Sequence, residues 1–234
     1  MDFLNKYDAQ QVSLLDEPLI AVDRQDRVIG ITTKKDAHLL ANIESEQSLI
    51  HRAFSLFLFD SSSYPSRLLL QQRSAEKITY PLLWTNTCCS HPLYKDIEMD
   101  GIDGVKHAAI RRTKDELGYN LSTDLIYITR IFYQARNIPD DGYFGESEID
   151  YILIANVNDS DKLDLTGDFK FNINEAAELK LATLGECEAL VKQQVTTPWF
   201  SRIVREGLLA KWWTSLDRQE LHETIGETDT IIQL

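Results

Sequence analysis

Long hydrophobic runs are missing from this 234-residue sequence. No apolar stretch approaches the roughly 20 residues that a helix needs to cross a bilayer, and the N-terminal residues lack the basic-then-apolar order of a secretory signal. Only three cysteines occur, Cys88, Cys89 and Cys187, and the first two are adjacent, which is a poor basis for a disulfide framework. We therefore expect a cytoplasmic protein with reduced thiols and no membrane partner.

Positive charge is also scarce. The sequence has 24 Lys and Arg residues against 37 Asp and Glu, which gives a net charge of -13 at pH 7. Phosphate backbones would be repelled over most of such a surface, so nucleic acid is not expected as a partner. An anionic small-molecule substrate would need a locally basic pocket.

The composition is that of an ordinary globular protein, with 43% hydrophobic and 26% charged residues. The sequence contains no internal repeat, low-complexity tract or linker. We expect one domain over residues 1–234, with an N-terminal extension at 1–17, a core at 18–216 and a C-terminal tail at 217–234.

Strand and helix signals alternate along the chain, which predicts a mixed α/β fold. The pairs 19–22 with 28–32 and 53–59 with 67–72 flank polar turns and predict two hairpins. Further strands are predicted at 125–134 and 148–155. Helices are predicted at 104–117, 186–194 and 198–216, the first ending at Gly118 and the last with Pro198 in its first turn.

Two short runs place reactive side chains two residues apart. W-T-N-T-C-C-S-H-P, at 84–92, carries Cys89 and His91, and G-E-S-E-I-D-Y carries Glu146 and Glu148 at the start of an apolar segment. In an extended chain, side chains two residues apart leave the backbone on the same face. Two such pairs indicate one prepared chemical site.

Imidazole and carboxylate groups near the predicted strand ends could together bind a divalent metal ion. Three histidines and two glutamates would fill a five- or six-coordinate sphere. The candidates are His38, His51, His91, Glu146 and Glu148. Each histidine taken alone is more often an ordinary surface or core residue, and we keep that interpretation for His107 and His222.

The predicted helix at 104–117 carries R-R-T-K-D-E-L-G-Y, which resembles the second half of the Nudix box, where helix carboxylates hold magnesium against a diphosphate. Arg112 and Asp115 stand where the hydrolase pattern has glutamates, and Glu116 is the matching acid. A hydrolase that collects magnesium through carboxylates would be impaired by Arg112, whereas an arginine can bind a phosphate through two hydrogen bonds. A solvated, charged helix face is the alternative interpretation.

Four runs together resemble type 1 isopentenyl-diphosphate Delta-isomerase: T-N-T-C-C-S-H-P, H-R-A-F-S, G-E-S-E-I-D-Y and T-P-W-F. The resemblance implies a Nudix-like mixed β-sheet sandwiched between helices, with N- and C-terminal elaborations. It also implies an isomerase of isoprenoid biosynthesis, an intramolecular oxidoreductase that transposes C=C bonds. Such an enzyme interconverts isopentenyl and dimethylallyl diphosphate through a tertiary carbocation-like state. We expect it to act as a monomer.

The resemblance assigns roles to residues. Cys89 and Glu148 correspond to the two acid/base groups, and Tyr133 to a residue that assists proton transfer. The metal ligands correspond to His38, His51, His91, Glu146 and Glu148, which would hold Mn²⁺, Zn²⁺ or Mg²⁺. The substrate-binding residues correspond to Lys34, Arg73, Lys77, Arg112 and Trp199. Glu116 corresponds to the ligand of a Mg²⁺ ion that accompanies the diphosphate.

Two other functions stay open at this point. The first is a Nudix-type diphosphate hydrolase, which Arg112 and the imperfect Nudix box disfavour. The second is a non-catalytic relative that binds a metal ion or a diphosphate, which the presence of every proposed catalytic residue disfavours. The ordinary interpretations also remain. Trp199 would be a core aromatic, the adjacent cysteines a small apolar pair, and the four cations surface residues.

Overall fold

The computed structural model describes residues 2–158, 162–221 and 230–234. Within these ranges, ten strands form one mixed sheet, whose main path runs β10-β7-β8-β3-β1-β2. The strands are β1 Pro18–Val22, β2 Val28–Thr33, β3 Ile50–Asp60, β4 Arg67–Arg73, β5 Trp84–Thr85, β6 Cys88–Ser90, β7 Ile126–Arg136, β8 Gly145–Val157, β9 Ala176–Ala182 and β10 Ile231–Gln233.

Helices lie between these strands and at the N-terminus. They are α1 Ala9–Ser13, α2 Lys34–His38, α3 Leu40–Ile43, α4 Asp96–Met99, α5 Gly101–Leu117, α6 Leu184–Lys192, α7 Pro198–Arg205 and α8 Leu208–Asp217. Short 3-10 turns at Asp2–Lys6 and Leu14–Asp16 flank α1. No helix among the described residues is both long and apolar enough to cross a membrane. The prediction of a mixed α/β fold is confirmed.

The parallel pair β3 and β8 forms the centre of the sheet. All eleven residues of β3 are buried, as expected for a strand that is covered on both faces. Phe54, Leu56 and Leu58 point into a core that includes Val105 and Ala108 of α5. Phe57 and Phe59 of β3 point into a second core, which contains side chains of α6, α7 and α8. The sheet is therefore sandwiched between helices, as predicted.

Gly118 ends α5 in the left-handed conformation, with φ of 64°. A Cβ added there would lie 2.6 Å from the backbone oxygen of Lys170. We expect Gly118→Ala to lower the free energy of unfolding by about 2 kcal/mol or more, because the left-handed conformation costs ~1 kcal/mol and a backbone clash adds to it. Urea unfolding measures the change.

The matched control for this change is Gly142→Ala. Gly142 also has a left-handed φ, of 73°, but an added Cβ would meet nothing within 4 Å. We expect this variant to lose only about 1 kcal/mol, the cost of the backbone conformation alone. Equal losses in the two variants would show that the contact with Lys170 contributes nothing.

Two sequence predictions are corrected by the structure. The single helix predicted at 198–216 is divided into α7 and α8, because Gly207 between them has the left-handed conformation, with φ of 72°. The predicted hairpin of 53–59 with 67–72 was also wrong in its extent. β3 and β4 pair only at Phe59 with Leu68 and Asp60 with Arg67, and β4 then pairs along its length with β9.

Described residues near both ends of the chain contact the rest of the fold. Leu15 of the N-terminal extension is buried with Ile78 and Phe144. At the other end, β10 pairs in parallel with β7. Residues 222–229, including His222, lie outside the described residues, and the division of the chain at 17 and 216 stays a prediction.

Candidate active site

One pocket lies beside the first half of β8, where β3, β6, β7 and α2 meet it. Twelve of the thirteen predicted site residues line this pocket: Lys34, His38, Arg73, Lys77, Cys89, His91, Arg112, Glu116, Tyr133, Glu146, Glu148 and Trp199. The thirteenth, His51, is fully buried and contacts Glu148. The structure therefore brings the whole predicted set together.

Strand register places the histidine and glutamate side chains. His51 of β3 is paired with Glu148 of β8, and Glu146 lies on the same face of β8 two residues earlier. His91 directly follows β6, which pairs with β3. The prediction that all five lie near strand ends was wrong for His38. It is the last residue of α2, which begins directly after β2, with Thr33 as its N-cap.

The five side chains form a compact buried cluster, with one potential ligand atom from each lying within 4.8 Å of the others. The Nε2 atoms of His51 and His91 lie 3.1 and 2.9 Å from the same oxygen of Glu148. The Nε2 atom of His38 lies 3.0 Å from Glu146 Oε2. The cluster is thus built from imidazole nitrogens that face carboxylate oxygens.

The chemistry of this cluster fits a divalent cation. His38 Nδ1 lies 2.6 Å from the backbone oxygen of Lys34, so Nδ1 carries the proton and Nε2 presents a lone pair to Glu146. Buried lone pairs that face carboxylates repel one another unless a proton or metal ion lies between them. Glu146 Oε2, which faces the ring of His38, also lacks a hydrogen-bond partner among the described residues. The cluster can therefore hold a metal ion.

Neighbouring groups hold the two carboxylates in different states. Burial would raise the pKa of Glu148, but hydrogen bonds from His51 and His91 hold that pKa well below its usual value. Burial raises the pKa of Glu146, and the negative charge of the adjacent Glu148 raises it further. Glu148 is therefore the more strongly ionised of the pair.

Cys89 lies on β6 with its thiol directed at the pocket. Its Sγ lies 2.9 Å from Asn86 Oδ1 and 3.2 Å from the indole nitrogen of Trp199. Burial raises the pKa of Cys89 to about 12, and the carboxylate of Asp150 adds to the effect. The sulfur is therefore a protonated thiol at neutral pH.

Sequence analysis missed the polar groups around this thiol. Ser55 Oγ donates to Asp150 Oδ2 at 2.7 Å and lies 3.5 Å from Cys89 Sγ. Asn86 fixes its own orientation by donating to the backbone oxygens of Leu56 and Cys88. Asp150 could have been found by extending the two-residue spacing one step beyond Glu148.

Tyr133 of β7 is paired in register with Glu148, and its hydroxyl donates to Glu148 Oε2. Burial and the nearby carboxylates raise the pKa of Tyr133 well above its usual value, so the hydroxyl keeps its proton. The ring centroid of Trp199 lies 5.9 Å from that of Tyr133. Cys89, Glu148, Tyr133 and Trp199 thus surround one end of the pocket.

Four basic residues line the pocket with Glu116, and each already has a protein partner. Lys34 Nζ lies 3.0 Å from Glu17, and Lys77 Nζ lies 2.6 Å from Glu175. Arg112 Nη2 lies 2.6 Å from Glu116. Arg73 donates to backbone oxygens of Thr79 and Tyr80. The partners Glu17 and Glu175 were not found from the sequence.

The helix segment that resembles the Nudix box is divided between two environments. Arg112 and Glu116 are buried at the pocket, one helical turn apart. Arg111 instead binds Glu98 at 2.7 Å, and the side chain of Asp115 is 52% exposed. The interpretation as a solvated face therefore holds for Asp115 but not for Arg112 or Glu116.

Solved structures with low sequence identity share the fold. A protein from Deinococcus radiodurans covers 81% of this chain and 98% of its own, with a TM-score of 0.51 and 14% identity. A Nudix hydrolase from Alicyclobacillus acidocaldarius covers 67% and 90%, with a TM-score of 0.50 and 11% identity. The predicted Nudix-like fold is confirmed, and identities this low carry no more than the fold.

Curated relatives are much closer in sequence. Proteins named isopentenyl-diphosphate delta-isomerase from Gibberella zeae and Bos taurus are 42% and 43% identical over 229 and 232 residues. The alignments cover 92% and 93% of this chain, and 82% and 95% of the relatives. The relative from Camptotheca acuminata is 43% identical over 227 residues.

No protein-family model matches the sequence. The sequence identity to these relatives is nevertheless far above the level at which only a fold is shared, and the alignments cover more than nine-tenths of this chain. The chain belongs to the isopentenyl-diphosphate delta-isomerase family and has a Nudix fold.

Proposed function

We propose that this protein interconverts isopentenyl diphosphate and dimethylallyl diphosphate, as the names of its relatives indicate. The single observation that carries the assignment to this chain is the shared pocket of Cys89 and Glu148. A protonated thiol and an ionised carboxylate line it together, and basic side chains line it as well. Moving the double bond of an alkene requires an acid and a base, and binding its diphosphate group requires basic side chains.

The diphosphate is proposed to bind to Lys34, Arg73, Lys77 and Arg112. All four cations line the pocket that also contains Cys89 and Glu148, and guanidinium and ammonium groups are the usual hydrogen-bond donors to a phosphate group. Glu116, which is buried beside Arg112, is the proposed ligand of a Mg²⁺ ion that accompanies the diphosphate. The hydrocarbon tail then extends toward Cys89 and Trp199.

Moving a double bond by one carbon requires a proton to be added at one carbon and another to be removed nearby. Two acid/base groups on either side of the tail can do this. Cys89 begins as the protonated member and Glu148 as the ionised one, and they exchange these roles when the reaction runs in reverse. Tyr133 donates a hydrogen bond to Glu148 and so holds its carboxylate in position.

The cluster of three histidines and two glutamates is proposed to bind Mn²⁺, Zn²⁺ or Mg²⁺. A divalent ion bound there would supply positive charge that would fix the position of Glu148 and keep its pKa low. Four ligands of the cluster also line the substrate pocket. Metal binding and substrate binding are therefore expected to influence each other.

Trp199 is proposed to stabilise the carbocation-like state. A desolvated cation over an indole ring gains roughly 2 kcal/mol. The side chain is only 3% exposed, and its indole nitrogen donates to Asn86 Oδ1 at 3.1 Å, so the ring is held in place. A site closed to solvent also protects the cation from capture by water.

The test is an assay of both possible reactions on one sample. Purified protein, supplied with Mg²⁺ and with Mn²⁺ or Zn²⁺, should convert isopentenyl diphosphate into dimethylallyl diphosphate without releasing phosphate. Release of phosphate without isomer would instead indicate the hydrolase, and the absence of both products would indicate a binding protein.

We also propose that the protein acts as a monomer, because one chain supplies every residue that lines the pocket. We propose the cytoplasm as its location, since the sequence has no apolar run long enough to cross a membrane. Sedimentation of the active enzyme as a dimer, or its recovery from an organelle fraction, would contradict this proposal.

A further inference from the structure

Two carboxylates lie behind the basic residues of the pocket and take no part in lining it. Glu17 Oε2 is 3.0 Å from Lys34 Nζ, and Glu175 Oε2 is 2.6 Å from Lys77 Nζ. Glu175 Oε1 is also 3.6 Å from Arg112 Nη2. Three of the four proposed diphosphate-binding residues are thus backed by an acid that is separate from the proposed metal ligands.

Both carboxylates are held by the surrounding backbone. Lys34 N donates to the backbone oxygen of Glu17 at 2.9 Å, so the two residues are joined through main chain and side chain. The backbone oxygen of Glu175 accepts from Ser74 N at 3.0 Å. The Gln11 amide lies 3.5 Å from the Glu175 carboxylate. The two acids are therefore fixed in place before any ligand arrives.

Ionised carboxylates lower the positive charge that a diphosphate meets. Charges from Lys34 and Arg112 lower the pKa of Glu17 despite its burial, and Lys77 and Arg112 hold the pKa of Glu175 at about 2. Four side-chain cations with Glu17, Glu116 and Glu175 leave one net positive charge. The same cations with Glu116 alone would leave three.

The excess charge would be harmful to turnover. Substrate and product of the proposed reaction carry the same diphosphate, so attraction to it stabilises substrate, transition state and product alike. Uniform binding of this kind lowers KM without raising kcat, and strong binding slows the release of product. A pocket that must bind and release a diphosphate therefore needs a limited positive charge.

We propose that Glu17 and Glu175 are positioning residues that limit the affinity of this pocket for diphosphates. They act through Lys34, Lys77 and Arg112, hold these side chains toward the ligand and partly neutralise them from behind. The inference rests on the proposed function, because it assumes that this pocket takes a diphosphate.

The experiment measures binding of inorganic diphosphate by calorimetry, with and without Mg²⁺. Glu17→Gln keeps the shape of the side chain and removes its charge. We expect this variant to bind inorganic diphosphate about tenfold more tightly, since one opposing charge near the anion is lost. In the isomerase assay, KM should fall by a similar factor, and kcat should fall and become sensitive to solvent viscosity.

The matched control is Asp16→Asn. Asp16 is the neighbouring residue and is exposed, so its replacement changes the net charge by the same amount without touching a basic side chain. Diphosphate affinity in this variant should equal that of the parent chain. An equal gain in both variants would attribute the effect to net charge and overturn the inference.

Weaker or unchanged binding in Glu17→Gln would also overturn it, because the carboxylate would then serve only to hold Lys34. Glu175→Gln is the second variant, and its thermal unfolding is measured first because Glu175 is buried. Binding of inorganic diphosphate does not depend on turnover. A chain without isomerase activity would therefore reject the proposed function and leave this binding result to be judged separately.

Discussion

Cys89→Ala should abolish most turnover while the protein keeps its metal. The Sγ atom of Cys89 forms hydrogen bonds with the side chains of Asn86 and Trp199, and it is not a member of the histidine and glutamate cluster. Loss of an acid/base group lowers kcat by about 10²–10⁴-fold. Steady-state kinetics give kcat, and elemental analysis of the purified variant gives its metal content.

Cys88→Ala is the matched control for this experiment. Cys88 is the adjacent thiol, is fully buried, and points into the core that contains α5. We expect it to retain turnover and lose about 1 kcal/mol of stability, because a small apolar group leaves a small cavity. Loss of metal from Cys89→Ala would show that the thiol is a metal ligand. An unchanged kcat would show that Cys89 is not an acid/base group of the reaction.

Glu148→Gln has the second large expected effect, because Glu148 serves three partners at once. Its carboxylate is contacted by His51, His91 and the Tyr133 hydroxyl. An amide keeps one oxygen acceptor and brings an NH₂ group toward the imidazoles. We expect kcat to fall by about 10²–10⁴-fold and metal affinity by at least about 100-fold.

Thermal unfolding with and without added Mn²⁺ or Zn²⁺ separates the two effects. Metal that binds only the folded chain raises Tm, so the parent protein should show this shift and Glu148→Gln should not. The control is Glu98→Gln, which replaces a buried glutamate paired with Arg111 outside the pocket. It should lower Tm but keep the metal-induced increase. If Glu148→Gln showed the full metal-induced increase in Tm, Glu148 would not be a metal ligand and its role would be limited to proton transfer.

The sequence was most informative where side-chain spacing and strand geometry coincide. Because strand side chains alternate between faces, Glu146 and Glu148 could be assigned to one face before their partners were known. Register then brings His51 opposite Glu148, which no local pattern reveals. The thirteen proposed site residues came from a family resemblance combined with such spacings, and the roles given to them stay predictions.

Interactions between distant segments could not be predicted in the same way. Glu175 binds Lys77, which is 98 residues away, and nothing in the N-I-N-E-A-A run distinguishes it from a surface acid. The break between α7 and α8 was missed because helical composition continues on both sides of Gly207. The strand β10 contains only three residues, and its parallel pairing with β7 joins segments about 100 residues apart, which no local pattern reveals.

In β8, which pairs with β3 over ten residues, one face of the strand contributes to the pocket and the other to the hydrophobic core. Glu146, Glu148 and Asp150 alternate with Ile149 and Tyr151, which belong to the opposite hydrophobic core. An inserted or deleted residue ahead of Glu148 would exchange the two faces of β8. The acidic side chains would then point into the hydrophobic core, and Ile149 would point toward the pocket. Natural length changes in this chain should therefore be confined to its loops, and β8 should keep its length.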